Sequence, residues 1–375
     1  MMATFTAASI QSAFENIAED LDVPLQTATY LTSLFIAILG IAPLFWQPIS
    51  KRYGRRPVFL ISLVFSAIGN IGCAKSPSYA SMAVCRAITA FFISPAAAIG
   101  SGIVKEVFFK ADRARYMGIW TLMVTIGVPV APFLFGFLAF RITYRWIYWT
   151  LAITNAVQFV LYLCLGHESR YMRGGDEATK PHGLFLFRRI DSSKITAYEF
   201  IRPFRFFGKI CVVIPTFAYS VVFLLTGVMI TVEIPQLFGE KFHFNTQQLG
   251  LQFLGTIIGS IVGEQIGGWS SDLWMKQRAK RGAQPQPEYR LWLSYLGYGL
   301  SICGVVVFLV QIANAPEGDW NVSPIIGAGI AAAGNQIVTT VLITYAVDCY
   351  IEDAATVGVF ITFVRQILGF IGPFW

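Results

Sequence analysis

The stretch WQPISKRYGRRPV, from Trp46 to Val58, decides how the rest of the chain is interpreted. Long apolar runs precede and follow it, and its four cations surround one glycine: Lys51, Arg52, Gly54, Arg55 and Arg56. A short basic loop between two hydrophobic segments stays on the cytoplasmic side of a membrane by the positive-inside rule. This loop therefore predicts a membrane protein and sets the side on which every later loop lies.

The composition agrees with a membrane protein. Hydrophobic residues make up 55% of the chain and charged residues 13%, about half the charged share of an ordinary soluble domain. The net charge of +7 lies in short connectors between apolar runs, which favours a membrane surface over nucleic acid. The six cysteines and three histidines lack the spacing of a metal site or disulfide framework. No P-loop or catalytic triad pattern occurs, so we expect neither an enzyme nor an ATP-driven pump, and no cofactor.

Eleven apolar runs approach the roughly 20 residues that cross a bilayer as a helix. We number them spans 1 to 11 and predict them at 1–17, 25–48, 58–74, 79–104, 116–140, 144–165, 210–232, 249–269, 291–313, 323–347 and 354–375. The first run begins abruptly and the last reaches the final residue. The sequence therefore predicts a chain that lacks the front of helix 1 and all of helix 12, as a fragment or a gene-prediction error.

The distribution of basic residues tests the topology. With the 46–58 loop inside, the connectors on its side contain 22 of the 28 lysines and arginines. The opposite side contains four: Lys75, Arg141, Arg145 and Lys241. The other two, Arg86 and Arg365, lie within spans. So uneven a division supports the assignment of sides.

The longest connector divides the chain into halves. It runs from His167 to Lys209 and is polar, basic and interrupted by two glycines at 174–175. We predict an N-terminal transmembrane half at 1–166, a cytoplasmic central loop at 167–209 and a C-terminal transmembrane half at 210–375. The segment GEQIGGWSSDL at 263–273 is followed by basic residues and repeats the 46–58 loop in the second half. Paired halves around a midplane site are typical of secondary transporters.

These features resemble the major facilitator superfamily of secondary transporters. The 46–58 loop resembles the family's loop between helices 2 and 3, Gly-x-x-x-Asp-Arg/Lys-x-Gly-Arg-Arg/Lys, although Lys51 replaces the acidic residue. RWIYW at 145–149, HESRY at 167–171 and EIPQLFGEKF at 233–242 are similar to a fungal branch of its drug:proton antiporters. The resemblance implies an all-α integral membrane fold of two pseudo-symmetric six-helix bundles, here with about 11 of the 12 helices.

In that family the loop's charges hold the two halves together on the cytoplasmic side. Glu352 and Asp353 precede span 11 here, so we hypothesise a charge-swapped clamp from Lys51 to one of them. Arg52 or Arg56 would pair with Glu106. In the second-half copy Asp272 keeps the acidic position, with Arg113 or Arg115 as its partner. The alternative is that all these charges are solvated anchors.

Small residues mark spans 5 and 8. GVPVAPFLFG at 127–136 resembles the family's helix-5 antiporter motif through Gly127, Pro132 and Gly136. Span 8 carries glycines at intervals of four: Gly255, Gly259, Gly263 and Gly267. Small residues at this spacing let helices approach closely, and in the family helices 5 and 8 cross between the halves. Ordinary helix packing is the alternative.

Charged residues inside spans are candidates for the proton pathway, because burying them in a membrane is costly. Arg86 resembles the family's helix-4 arginine near proton transfer, but a structural hydrogen bond remains open. Arg365 has a weaker claim. Glu233, placed at the outer end of span 7, is the first candidate carboxylate, unless it is an exposed helix end. Glu264 is the second, unless it only supports the second-half loop.

Polar residues within spans indicate a substrate cavity, which the resemblance assigns to helices 1, 4, 7 and 10. The candidates are Tyr219 and Thr226 on span 7 and, on span 10, Asn335, Gln336, Thr339, Thr340 and Thr344. Hydrogen bonds between helices are the alternative role for each of them.

The sequence and the resemblance together predict proton-coupled efflux of small organic solutes, such as drugs, toxins or secondary metabolites, by alternating access. The partners would be the solute, protons and the lipid bilayer, with no nucleic acid and a monomeric chain. The plasma membrane is the expected location, with the vacuolar membrane as an alternative. Two rival functions stay open: proton-coupled uptake of a cationic metabolite such as a polyamine, and a non-transporting sensor or non-functional fragment.

Overall fold

The computed structural model describes residues 1–100, 103, 113–166, 168, 196–270, 273–274, 277, 287–318, 320–350 and 353–374. Within these ranges the regular structure is helical, as predicted. Ten of the described helices are long and apolar enough to cross a membrane. They correspond to spans 2 to 11: Leu25–Tyr53, Arg55–Ala74, Tyr79–Ala97, Gly118–Arg141, Arg145–Leu165, Ile210–Phe242, Thr246–Gly268, Glu288–Asn314, Ser323–Cys349 and Ala354–Phe374.

Span 1 is interrupted. It consists of a helix at Met2–Ala8, a short 3₁₀ turn at Gln11–Ala13 and a second helix at Phe14–Asp20. A break of this kind leaves the last carbonyl groups of the first helix without intrahelical partners. Those groups face the interior, because Ala7 and Ala8 are buried.

Span 7 is longer than predicted. The pattern placed its end at 232, ahead of Pro235, whereas the helix continues through that proline to Phe242. A seven-residue π-helical segment, Phe223–Met229, lies in its middle. Span 8 also ends in a π segment, Gln265–Trp269. Such segments are rare and are frequent at functional sites.

The helices form two bundles that meet along two seams. In the first, span 3 packs against spans 4 and 6; in the second, span 10 packs against spans 7, 8 and 9. Between the bundles, span 2 packs on span 11 and span 5 packs on span 8. The seams therefore place spans from both halves around a shared interior.

The glycine stripe of span 8 faces span 10 rather than span 5. A Cβ atom added at Gly259 would lie 2.0 Å from the carbonyl oxygen of Gly329, and one at Gly263 would lie 2.4 Å from that of Ala333. Close approach to span 5 occurs one turn outward instead, where Gly136 meets Gly250. The spacing of four correctly indicates a tight helix contact but does not specify the neighbour, because several helices surround span 8.

The outer faces of the bundles carry large apolar side chains. Span 6 exposes Ile153, Val157, Val160 and Leu161, and span 9 exposes Trp292, Ile302 and Val306. Contiguous apolar surface of this extent is unfavourable in water and suits the hydrocarbon of a bilayer. The described part of the chain is thus built as a multi-pass membrane protein.

Candidate functional site

A central cavity lies between the two bundles. Its empty volume, including the part open to solvent, is about 840 Å³, and it is lined from spans 1, 2, 5, 7, 8, 10 and 11. Its walls combine aliphatic and aromatic side chains with hydroxyl and amide groups, a mixture typical of small-molecule sites. Three predicted residues line it: Tyr219, Thr226 and Asn335.

Arg365 of span 11 also lines this cavity. Its Nη1 donates a hydrogen bond of 2.9 Å to the hydroxyl oxygen of Tyr219, and its guanidinium carbon lies 4.8 Å from the ring centre of Phe223. The side chain is 8% exposed. The residue with the weaker sequence claim is therefore the arginine that reaches the cavity.

Glu264 joins two other predicted residues beside the cavity. The side-chain amide of Gln336 donates to its Oε2 at 2.6 Å and the Thr340 hydroxyl donates to the same atom at 2.7 Å. A Cβ atom added at Gly118 of span 5 would lie 2.8 Å from its Oε1. The carboxyl group, 7% exposed, thus sits where spans 5, 8 and 10 meet, at the seam between the halves.

Glu233 has a different environment. It lies within the continuous helix of span 7, half-buried, two residues beyond Thr231, which lines the cavity. The structure does not bring it together with Glu264. Its predicted position at the end of the helix was wrong, because Pro235 does not end the span.

Arg86 is buried at 1% exposure and is not itself one of the residues that line the cavity. Its Nη2 donates a 3.1 Å hydrogen bond to the Ala7 carbonyl oxygen, and its guanidinium lies 4.8 Å from the ring centre of Phe35. Ala7 lies in the last turn of the first helix of span 1, so the arginine satisfies a carbonyl that the break leaves free. The contact positions the part of span 1 that lines the cavity.

The polar face of span 10 is divided between three environments. Asn335 lines the central cavity, whereas Gln336 and Thr340 turn to Glu264. Thr339 lines a smaller pocket next to the cavity, and the Thr344 hydroxyl bonds to the Thr340 carbonyl oxygen. Only part of the predicted polar face therefore contacts the cavity.

On the predicted cytoplasmic side, residues of the 167–209 connector form a network of ion pairs and hydrogen bonds with the spans. Arg52 binds Glu199 at 2.7 Å, and Asp353 binds Arg202 at 2.6 Å and also Arg205. The backbone N–H groups of Arg55 and Arg56 each donate to the Glu168 carboxylate at 3.0 Å. Glu168 thereby caps the start of span 3, where its negative charge interacts favourably with the positive end of the helix dipole.

Three members of the predicted clamp, Glu106, Asp272 and Glu352, lie outside the described residues. The clamp from Lys51 to Glu352 or Asp353 therefore stays a prediction. The described contacts add that Asp353 is already engaged by two arginines of the connector.

The two antiporter-motif glycines of span 5 have separate neighbours. A Cβ atom added at Gly127 would lie 2.6 Å from the hydroxyl oxygen of Thr4, so this glycine admits span 1. Gly136 admits span 8, and the Pro132 carbonyl oxygen lies next to Gly250. Span 5 thus touches both span 1 and the second half.

The family profile described as Major Facilitator Superfamily matches residues 1–373. The chain belongs to the Major Facilitator Superfamily. It is accordingly a membrane transporter and not an enzyme.

Individual relatives of this superfamily member come from fungi. The MFS-type transporter hepF of Aspergillus oryzae is 26% identical over 92% of this chain and 72% of its own length. The efflux pump vrtL of Penicillium aethiopicum is 27% identical over 97% of this chain and 74% of its own length. Citrate exporter 1 of Aspergillus niger is 25% identical over 69% of this chain and 52% of its own length.

Several residues that line the cavity of this Major Facilitator Superfamily transporter were not among those predicted from its sequence. They are Gln11 of span 1, Thr32 of span 2, Thr231 of span 7, Thr256 and Ser260 of span 8, and Gln366 of span 11. Thr256 and Ser260 are four apart on an otherwise apolar helix, which is a usable signal. Gln11 and Gln366 are single amides in apolar runs, a signal that does not tell a cavity from a helix contact.

Proposed function

We propose that the chain exports small organic solutes in exchange for protons, by alternating access, as a monomer in the plasma membrane. The observation that carries this proposal is the polar cavity between the two bundles, with a buried carboxyl group beside it. Secondary transporters place substrate and coupling sites at such an interface between repeats.

The cavity accounts for the solute site. Its lining of apolar, hydroxyl and amide side chains suits a small organic molecule, and both halves contribute to its walls. Tyr219, Thr226 and Asn335 supply polar contacts, while Arg86 acts indirectly by holding the break in span 1. A solute bound here touches both halves, so it can favour one arrangement of the halves over another.

Contacts between the halves lie on both sides of the cavity. On the predicted outer side, the Thr246 hydroxyl donates to Asn16 Oδ1 at 2.8 Å and Gln26 donates to the Pro373 carbonyl oxygen at 2.6 Å. On the inner side, Gln47 donates to Thr356 at 3.4 Å. Alternating access requires these two sets to open in turn, with the halves 1–166 and 210–375 moving as units.

The inner set includes the proposed gate. We assign it the basic loop of Lys51, Arg52, Gly54, Arg55 and Arg56 with the carboxylates Glu106, Asp272, Glu352 and Asp353. The connector arginines that bind Asp353 couple this gate to the central loop.

Glu264 is the group that we assign to the proton. An ionisable side chain inside a membrane protein is costly and marks a proton or substrate route. Its hydrogen bonds from Gln336 and Thr340 come from span 10, and its other oxygen faces span 5. Movement of the halves would change the span 5 contact directly, which links protonation to the transport cycle. Glu233, the first candidate from the sequence, becomes the second candidate.

The direction of transport rests on relatives and on one motif. Two of the relatives are named an efflux pump and an exporter, and the 127–136 segment resembles the antiporter motif. An inward proton gradient then supplies the energy for solute efflux.

The test is an efflux measurement on cells that express the full chain. The cells are loaded with a defined mixture of organic acids, amines and neutral aromatic compounds, and efflux is followed by mass spectrometry with and without a protonophore. We expect at least one compound to leave faster than from control cells, and the protonophore to remove that difference. Export that persists after the gradient collapses would contradict proton coupling.

A matched pair of variants tests Glu264. Glu264→Gln keeps the size and the hydrogen bonds of the side chain but cannot exchange a proton, so export driven by the gradient should fall at least about tenfold. The control, Glu240→Gln, makes the same change at an exposed carboxyl group of span 7 and should transport like the unchanged chain.

A further inference from the structure

The charge in the described lining of the central cavity is positive. Among the described residues of its lining, Arg365 carries the one charged side chain, and the others are apolar, hydroxyl or amide groups. Buried charges in proteins are normally paired with an opposite charge, because an unpaired charge away from water is unfavourable. The described residues of the lining therefore supply no anion that would balance this arginine.

The hydrogen bonding of Arg365 also indicates an anionic ligand. One terminal nitrogen bonds to the neutral Tyr219 hydroxyl, and Nε has no hydrogen-bond partner among the described residues. A guanidinium has five N–H donors arranged to hold a carboxylate with two parallel bonds. The free donor capacity matches a carboxylate.

In the described part of the chain, three amide oxygens of the lining also lack partners. Oε1 of Gln11, Oδ1 of Asn335 and Oε1 of Gln366 are buried and lack donors within the described ranges. Amide oxygens accept hydrogen bonds from hydroxyl groups. The remaining wall is apolar and aromatic, with Ile36, Leu39, Phe223 and Val228 among its residues.

We propose that the transported solute is an organic acid with one carboxylate, at least one hydroxyl group and an apolar body. This refinement rests on the proposed export function. Arg365 binds the carboxylate, the amide oxygens accept the hydroxyl group and the apolar wall contacts the body. A polyamine is disfavoured, since its cationic groups would lie against a buried guanidinium.

Arg365 also borders the route towards the predicted cytoplasmic side. A second pocket of about 480 Å³ lies between spans 4, 5, 10 and 11 and shares Val124, Thr125 and Arg365 with the central cavity. Its other residues, such as Thr121 and Val347, are nearer the inner ends of their spans. An anion that enters from the cytosol would thus meet the arginine before the central cavity.

The two charges of the site have separate tasks. Glu264 is not part of the cavity lining, and the atom Oε2 is held by span 10. The solute and the proton therefore bind at separate groups, and exchange requires the proton to move inward on Glu264 after the solute has left Arg365. A membrane potential that is negative inside drives the anion outward as well as the proton inward, so both components of the gradient favour export.

Binding of three matched probes to the purified full chain tests the charge preference. The probes share one hydroxyphenyl body and differ in the end group: 3-(4-hydroxyphenyl)propanoate, 3-(4-hydroxyphenyl)propanamide and 3-(4-hydroxyphenyl)propylamine. We expect the carboxylate to bind at least about tenfold more tightly than the amide and the amine, as measured by calorimetry.

Variants assign that preference to one residue. Arg365→Gln should remove the preference for the carboxylate over the amide, and Arg365→Lys should restore part of it. The control Arg141→Gln removes the same charge at the exposed end of span 5 and should keep the preference. Should Arg365→Gln fail to fold, the ranking of the three probes on the unchanged chain still decides the proposal.

Equal binding of the probes, tighter binding of the amine, or no binding at all would overturn the inference. So would loss of the preference in Arg141→Gln. Efflux of the carboxylate from proteoliposomes separates this result from the export function. A chain that prefers the carboxylate but moves it without regard to the proton gradient would contradict proton-coupled export and leave the anion preference intact.

Discussion

Gly54 alone joins spans 2 and 3. Span 2 ends at Tyr53 and span 3 begins at Arg55, so one residue reverses the chain. Its φ of 86° and ψ of 171° belong to a region that residues with a Cβ atom occupy only with strain of about 1–3 kcal/mol. The sequence indicated a turn at this glycine, and the backbone shows why no other residue type suits it.

We predict that Gly54→Ala lowers the free energy of unfolding by about 1–3 kcal/mol. The thermal midpoint of the purified chain should fall accordingly. The control, Gly299→Ala, changes a helical glycine of span 9 with open space at its Cβ position. That change should leave the midpoint unchanged or raise it, because alanine favours helix. Equal midpoints for the two variants would contradict the strain.

The residue scale is also where prediction from sequence fails most. Apolar runs are local signals, and they located most spans to within about five residues. The exceptions are span 1, which is interrupted, span 4, whose described helix ends at Ala97, and span 7, which continues past Pro235. The partners of buried charges are not local: Arg52 binds Glu199, 147 residues away along the chain. Likewise, Glu264 and Arg365 were both visible as charges within spans, but only packing decides which of them reaches the cavity.

The connector helix ties both halves at the element scale. It comprises Tyr198–Ile201 and the 3₁₀ segment Arg202–Gly208. Its Glu199 and Phe200 contact Arg52 and Phe45 of span 2. Its other contacts reach span 11: Arg202 and Arg205 bind Asp353, and Phe207 packs on Phe360 with ring centres 4.9 Å apart. The central loop is thus part of the inner closure.

Charge reversal at Glu199 should weaken this closure. In Glu199→Lys two cations would meet at a site where Arg52 is only 2% exposed, which should cost about 2 kcal/mol of stability. The double variant Arg52→Glu with Glu199→Lys should recover part of the loss, as thermal unfolding will measure. Glu317→Lys, at an exposed loop carboxylate, is the control. The pairing would be contradicted if the double variant lost as much stability as the two single variants, Arg52→Glu and Glu199→Lys, lose together.

At the scale of the whole molecule, transport requires the halves to move against each other. Asn16 of the first half and Thr246 of the second lie 2.8 Å apart at their side-chain oxygens. They belong to the outer set of contacts, on the side that the basic residues assign to the exterior. Opening towards that side must separate them.

A disulfide at this position should therefore stop transport. In a chain whose six native cysteines are replaced by serine, Asn16→Cys with Thr246→Cys should form a cross-link under oxidation. Efflux should then be lost and return on reduction. The control pair, Ser66→Cys with Asn155→Cys, joins spans 3 and 6 within the first half. The side chains of Ser66 and Asn155 are 2.9 Å apart. Full efflux by the cross-linked Asn16–Thr246 pair would contradict movement of the halves.

The π segment of span 7 stores one surplus residue in the helix that carries both Tyr219 and Glu233. If Phe223–Met229 tightened to α-helical bonds, the outer part of the span would turn by roughly 100° about its axis, the step between neighbouring α-helical residues. Thr231 would swing away from Gln11, whose side chain it now meets at 3.4 Å, while Tyr219 and its arginine stayed in place. Such a change would rotate the outer part of the helix and also shift it along its axis by about 1.5 Å, the rise of one α-helical residue.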